Sequence, residues 1–195
     1  MHLSSNAVFG GRAECYPNYS GLDPINDYGI LKAEAKRSVL EQNPKASIFR
    51  PILMYGWPQP SGRQNPVTSW ISNLREGKKI RVVDDVWTEP LAAWDCAEAI
   101  WGALDKEMSG PLTVSGGVKM SLLDFGHTAA SVFELDSSLI EPASSGDFPT
   151  LAPRCGSSSF DLKRHTEALH FHPFFRLEGL EKLKRDVPAM WLENN

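Results

Sequence analysis

The stretch from Asp27 to Asn43 opens with an N-cap candidate, carries Ala33, Ala35, Val39 and Leu40 as its apolar positions, and stops at Pro44. Within two residues the apolar run Ala46-Ser47-Ile48-Phe49-Arg50 begins. Proline cannot continue a helix, so the chain has to change from helix to buried strand at this point. The succession repeats. A helix near Pro66 to Glu76 leads into the strand Lys79 to Asp84, and a helix marked by Trp94, Ala97, Ile100, Trp101 and Leu104, with Asp95 near its start, leads into the strand Pro111 to Ser115. Helices alternating with short β runs predict an α/β fold with parallel strands.

The remaining segments fit between these elements. Met1 to Phe9 reads as a strand entering a turn at Gly10-Gly11, and Arg12 to Gly21 reads as an irregular loop, either one that covers a site or a plain surface loop. After a turn at Gly116-Gly117 come a helix from Ser121 to Leu135 and an extended, Ser/Pro/Gly/Ala-rich segment from Pro142 to Ser159 crossing the surface. Helices near Asp161 to Leu169 and Leu177 to Asp186 end the chain. The tryptophan stripe at Trp94 and Trp101 is read as core.

Composition narrows the functions. With 195 residues, 42% hydrophobic and 23% charged, the chain can build one core. A formal charge of −4 and a pI near 5.7 provide no electrostatic drive toward nucleic acid or an anionic membrane. Cys15, Cys96 and Cys155 are an odd set without C-x-x-C spacing, which suggests neither a disulfide framework nor zinc and fits a reducing cytoplasm. His170 and His172 have no acidic or cysteine ligand near them in sequence, so no metal site is expected. No apolar run approaches the roughly 18 residues of a membrane helix, and Met1-His2-Leu3 lacks a signal-peptide profile.

The chemistry starts at Tyr28-Gly29-Ile30-Leu31-Lys32. Four residues apart on a helix, Tyr28 and Lys32 share one face. A free phenol titrates near about 10, and a neighbouring ammonium favours its anion, which turns a tyrosine into a general acid or base. The same pattern is also that of a capped helix with an exposed lysine.

Three patches follow in one order: Ser4-Ser5-Asn6-Ala7-Val8-Phe9-Gly10-Gly11, then Tyr28 to Lys32, then Arg50-Pro51-Ile52-Leu53-Met54-Tyr55-Gly56. Together they resemble the extended short-chain dehydrogenase/reductase superfamily, and within it the dTDP-4-dehydrorhamnose reductase family, whose relatives include the beta subunit of methionine adenosyltransferase. Val82-Val83-Asp84-Asp85 through Pro90 resembles that family's substrate loop. Phe148-Pro149-Thr150 through Pro153-Arg154, with Phe160-Asp161-Leu162-Lys163, resembles its C-terminal segment.

The resemblance implies a catalytic set of Ser5, Tyr28 and Lys32. Ser5 would hydrogen-bond a substrate carbonyl, Tyr28 would deliver a proton, and Lys32 would hold the phenolate and the nicotinamide ribose of NADP or NAD. It also implies cofactor contacts near Pro51 and Ile52 and substrate contacts at Ser5, Asn65, Trp87 and Arg154. For Ser5 a hydroxyl bonding local backbone is the other reading, for Asn65 an N-cap, and for Trp87 a half-buried aromatic. Pro51-Ile52-Leu53 stands where the rhamnose-pathway reductases carry Thr-Ser-Trp, and Thr88-Glu89-Pro90 where they carry Gly-Ser-Pro. The Arg-Pro-Ile-Leu stretch looks more like the adenosyltransferase beta subunit.

A dinucleotide-binding half of this superfamily carries a glycine-rich turn whose N–H groups hold the pyrophosphate. No Gly-x-Gly-x-x-Gly occurs in these 195 residues. The chain therefore resembles the C-terminal two-thirds of such an enzyme: one domain, a truncated Rossmann-like parallel sheet with a smaller substrate-binding lobe. Residues 1–60 would be the remnant of the nucleotide-binding sheet carrying the catalytic residues, and 61–195 mainly the substrate lobe and returning elements. The implied function is reduction of a nucleotide-linked keto-sugar, inactive without the other half. A regulatory module serving a protein partner and a non-functional remnant stand as alternatives, and a protein partner or a homo-oligomer is a possible assembly.

Overall fold

A computed structural model describes residues 1–59, 61–149, 152–163 and 176–192. In chain order the elements are β1 (His2–Leu3), α1 (Asp27–Gln42), β2 (Ser47–Pro51), β3 (Met54–Tyr55), α2 (Pro66–Arg75), β4 (Ile80–Val83), β5 (Trp87–Thr88), β6 (Leu91–Ala92), α3 (Ala93–Asp105), β7 (Gly110–Val114), β8 (Met120–Ser121), α4 (Leu122–Val132), β9 (Ile140–Ala143), α5 (Arg176–Arg185) and α6 (Ala189–Leu192). The main sheet is parallel in the order β1-β2-β7, with Leu3 opposite Phe49 and Phe49 opposite Leu112. β2 is buried along its whole length, as a central parallel strand covered on both faces must be. This is the expected α/β, Rossmann-like arrangement.

The remaining strands pair in twos. β4 pairs in parallel with β9, β3 pairs in parallel with β6, and β5 pairs antiparallel with β8. One apolar cluster joins Phe9, Phe49, Leu112 and Val114 of the sheet region to Leu91, Cys96, Ala99 and Ala103. Another joins Tyr55, Ile71, Phe125, Leu180 and Leu183.

The structure corrects four expectations. The strand expected over Met1–Phe9 ends at Leu3, because the Ser5 hydroxyl accepts a hydrogen bond from the Ala7 N–H and turns residues Asn6–Val8 into a 3-10 turn. The loop expected from Val86 to Pro90 contains β5, and β6 follows directly after it. Ile140–Ala143, whose last two residues were read as the start of the Ser/Pro/Gly/Ala-rich surface segment, is the strand partner of β4; its Pro142 lacks an N–H and masks the strand signal. The tryptophan stripe of α3 is core only in part: Trp94 packs against the Tyr55 and Phe125 cluster, but Trp101 is 67% exposed, and the fully buried positions of the helix are Asp95, Cys96, Ala99 and Ala103. Small residues on that face let the helix lie close to the sheet. The helix expected near Asp161–Leu169 lies mostly outside the described residues, as do His170 and His172.

Candidate functional site

The 3-10 turn after β1 and the start of α1 are built as one unit. Asn26 has extended backbone and its Oδ1 accepts from the Gly29 N–H at 2.8 Å, which caps α1. Gly29 is the buried residue of the helix. A Cβ there would fall 2.1 Å from the Ala7 carbonyl oxygen, so only glycine lets α1 rest on the turn that Ser5 caps. The close approach brings Tyr28 and Ser5 to one cavity of about 330 Å³, within the usual range of small-molecule sites.

That cavity lies beyond the carboxyl ends of the parallel strands, where ligands of open α/β sheets bind. Ser5, Asn6 and Ala7 follow β1, Leu53 follows β2, Ile25, Asn26 and Tyr28 come from the entry of α1, and Val86, Trp87 and Thr88 come from the region of β5. The last wall is the segment 152–160, through Ala152, Arg154, Cys155 and Ser158. Trp87 lines the space and is 44% exposed. Among the described lining residues Arg154 bears the single formal charge, with no carboxylate present.

The remaining residues named from sequence take other places. Lys32 is outside the cavity lining; its Nζ lies 5.7 Å from the Tyr28 ring centroid and donates to the Leu3 carbonyl at 3.1 Å. Pro51 ends β2, and Ile52 is 4% exposed with its N–H on the Val114 carbonyl; both sit in the core behind the cavity. Asn65 caps α2: its Oδ1 accepts from the Thr68 N–H and its Nδ2 donates to the Gly56 carbonyl, so both ends of the amide are engaged. Ser5 caps its turn, as the local reading has it, and also lines the cavity.

Sequence reasoning passed over the residues that hold the wall 152–160. Asn26 Nδ2 donates to the Pro153 carbonyl at 2.7 Å, and Asn6 Nδ2 donates to Ser158 Oγ at 3.2 Å. The Trp87 N–H donates to the Gly156 carbonyl and the Ser158 N–H to the Trp87 carbonyl. Buried Glu89 accepts from Ser115 on one carboxylate oxygen and from Ser159 on the other. The sequence signal for Glu89 was its place in Thr88-Glu89-Pro90, where the reductases carry Gly-Ser-Pro.

Among the described residues no group of metal-ligating side chains gathers, and no helix is long and apolar enough to cross a membrane.

The family model described as RmlD substrate binding domain matches residues 1–186. The chain is 27% identical over 164 residues to a probable low-salt glycan biosynthesis reductase of Haloferax volcanii, covering 83% of this chain and 55% of the relative. It is 27% identical over 172 residues to methionine adenosyltransferase 2 subunit beta of Bos taurus, covering 84% and 50%. Its fold matches the crystal structure of dTDP-4-dehydrorhamnose reductase from Bacillus anthracis in complex with NADP at a TM-score of 0.86 and 26% identity, covering 95% of this chain and 65% of that one. The chain thus spans about half the length of these curated relatives.

Proposed function

The chain belongs to the RmlD substrate binding domain family, in the extended short-chain dehydrogenase/reductase superfamily, and from that premise we propose that it forms the substrate-gripping, proton-donating part of an NADP(H)-dependent reductase of a nucleotide-linked keto-sugar. One observation carries the reading: Ser5, Tyr28 and Arg154 line the same cavity, whose described lining holds a cation and no carboxylate. Such a cavity favours an anionic ligand. A nucleoside diphosphate-sugar suits it, with phosphate oxygens toward Arg154 and the sugar's flat face toward Trp87.

The roles follow from the groups. Ser5 Oγ donates to the ketone oxygen, and Tyr28 hands its phenolic proton to the oxygen as negative charge develops there. Lys32 spends one N–H on the Leu3 carbonyl and keeps its other donors for ribose hydroxyls. The residues fit the nicotinamide end of the cofactor in this way, and a reduced nicotinamide bound there supplies the hydride. They do not fit its pyrophosphate: the sequence has no Gly-x-Gly-x-x-Gly, and the N-terminus of α1 is already capped by Asn26.

Calorimetric titration of the 195-residue chain with thymidine diphosphate and with NADPH tests the proposal. Thymidine diphosphate is expected to bind, Arg154→Ala to weaken it at least tenfold, and NADPH to bind much more weakly. No binding of thymidine diphosphate to the wild type would sink the reading.

A second reading is a regulatory module, favoured by the match to the bovine adenosyltransferase subunit and by Arg50-Pro51-Ile52-Leu53. Its mark is association with a methionine adenosyltransferase that neither Arg154→Ala nor Tyr28→Phe changes.

A further inference from the structure

The segment 152–160 carries Arg154 and is fastened on both sides of it. On the N-terminal side, Asn26 uses the two ends of one amide for two purposes: Oδ1 caps the helix that presents Tyr28, and Nδ2 grips the Pro153 carbonyl. On the C-terminal side, Glu89 is 4% exposed and is shared between Ser115 at the end of β7 and Ser159 of the segment. The Ser159 carbonyl also receives the Tyr16 N–H, so the loop before α1 is stitched to the same point.

We propose that Asn26 and Glu89 are positioning residues that clasp segment 152–160 at Pro153 and Ser159 and thereby hold Arg154 against the cavity that Tyr28 faces. The inference rests on the reading of that cavity as the site of a nucleoside diphosphate-sugar. Neither residue needs to touch the reacting atoms. Asn26 ties the position of Arg154 to the helix bearing the proton donor. Glu89 does the same for the scaffold, since a buried carboxylate keeps its two hydroxyl donors in preference to going without them. A ligand whose phosphates bind Arg154 is thus registered relative to Tyr28 through Pro153 and Asn26.

The two clasps can be opened separately. Asn26→Asp keeps an equally good N-cap but has no N–H for Pro153. Ser159→Ala releases the segment from Glu89, whereas Ser115→Ala removes the scaffold-side partner and leaves the Ser159 bond. Hydrogen exchange in the ligand-free protein reads the segment at the Ser158 and Asp161 amides, which donate to the Trp87 and Tyr16 carbonyls. Exchange there is expected to rise about fivefold in Asn26→Asp and in Ser159→Ala, the effect of losing one ordinary hydrogen bond, and less than twofold in Ser115→Ala. Amides of β2 should not change. Affinity for thymidine diphosphate should fall by a similar factor in Asn26→Asp, at nearly unaltered melting temperature, and in Ser159→Ala, whose melting temperature falls as well because one oxygen of the buried Glu89 loses its donor.

Unchanged exchange in both variants, or an equal rise through β2, overturns the clasp. If the wild type fails to bind thymidine diphosphate, the function proposal fails while the exchange result still decides the clasp. If exchange rises but affinity holds, the segment is fastened without positioning Arg154, and the inference is wrong.

Discussion

The Lys36 ammonium stands in the field of the buried Arg50 guanidinium, and burial together with that like charge holds the lysine below its ordinary pKa of 10.5. Arg50 is 1% exposed and burial lowers it to about 10. Its Nη2 donates to the Asn18 carbonyl and its guanidinium lies 5.0 Å from the Phe9 ring centroid, but Nε and Nη1 have no hydrogen-bond partner and no ion pair forms among the described residues. A carboxylate at position 36 would face that guanidinium in place of a second cation.

Lys36→Glu is therefore expected to stabilise the protein. Because position 36 is partly solvated, about 1 kcal/mol is the scale, or ~2–4 °C in Tm for a chain of this size. Lys36→Met should gain less, since it only removes the repulsion. Thermal melts of the three proteins decide it; a Lys36→Glu variant less stable than Lys36→Met would show that the two charges do not meet.

Much of the site was legible in the sequence, and the reason is local. Tyr28 and Lys32 are fixed to each other by one turn of helix, and that helix is marked by Asn26, Asp27 and Pro44, so the relationship needs no tertiary information. β2 and β7 were placed near their true positions for the same reason, since both are apolar runs between clear breaks. What failed was non-local. Ile140–Ala143 becomes a strand only because β4 lies beside it, and Trp101 is exposed because small residues, not large ones, meet the sheet. The clasp through Asn26, Glu89 and Ser159 joins positions far apart in sequence, which no periodicity encodes.

Gly29→Ala is expected to destabilise the fold although alanine is the better helix former. The added Cβ would lie 2.1 Å from a backbone oxygen, which cannot rotate away as a side chain would. Overpacking of this kind costs about 1–3 kcal/mol, more than the ~1 kcal/mol of helix propensity gained. Gly21→Ala, with nothing within 4 Å of its Cβ, is the control and should be near neutral. Urea denaturation of both variants measures the difference; equal midpoints would contradict the close approach of α1 to Ala7.

Acid stability should depend on Asp85. Its carboxylate accepts from the Ser145 N–H, Ser145 Oγ and Ser144 Oγ, and the Ser145 bonds lead in holding its pKa below the ordinary 3.8. For a carboxylate depressed in the folded state, the unfolded chain binds more protons as pH falls, so the contribution is present above 3.8 and is lost as pH drops through the folded value. Asp85→Asn removes this dependence. The difference in stability between wild type and Asp85→Asn, followed by denaturation from pH 6 downward, should shrink below pH 4; a constant difference would place the effect elsewhere.

Tyr28→Phe should separate chemistry from binding. The substitution removes only the phenolic hydroxyl from a residue that is 55% exposed, so thymidine diphosphate affinity and melting temperature should stay within about twofold and ~1 kcal/mol of wild type. Reduction of dTDP-4-dehydrorhamnose by NADPH, measured on protein that contains these residues, should fall by about 10²–10⁴ because the developing alkoxide loses its general acid. The loss should appear in kcat and kcat/KM alike, as expected for an interaction made only in the transition state. Lys32→Ala should behave differently. It removes the ammonium beside the Tyr28 ring and the anchor on the Leu3 carbonyl, so both NADPH affinity and turnover should drop. Equal turnover in wild type and Tyr28→Phe would remove the tyrosine from the reaction and leave the helix face at Tyr28 and Lys32 as a structural pair.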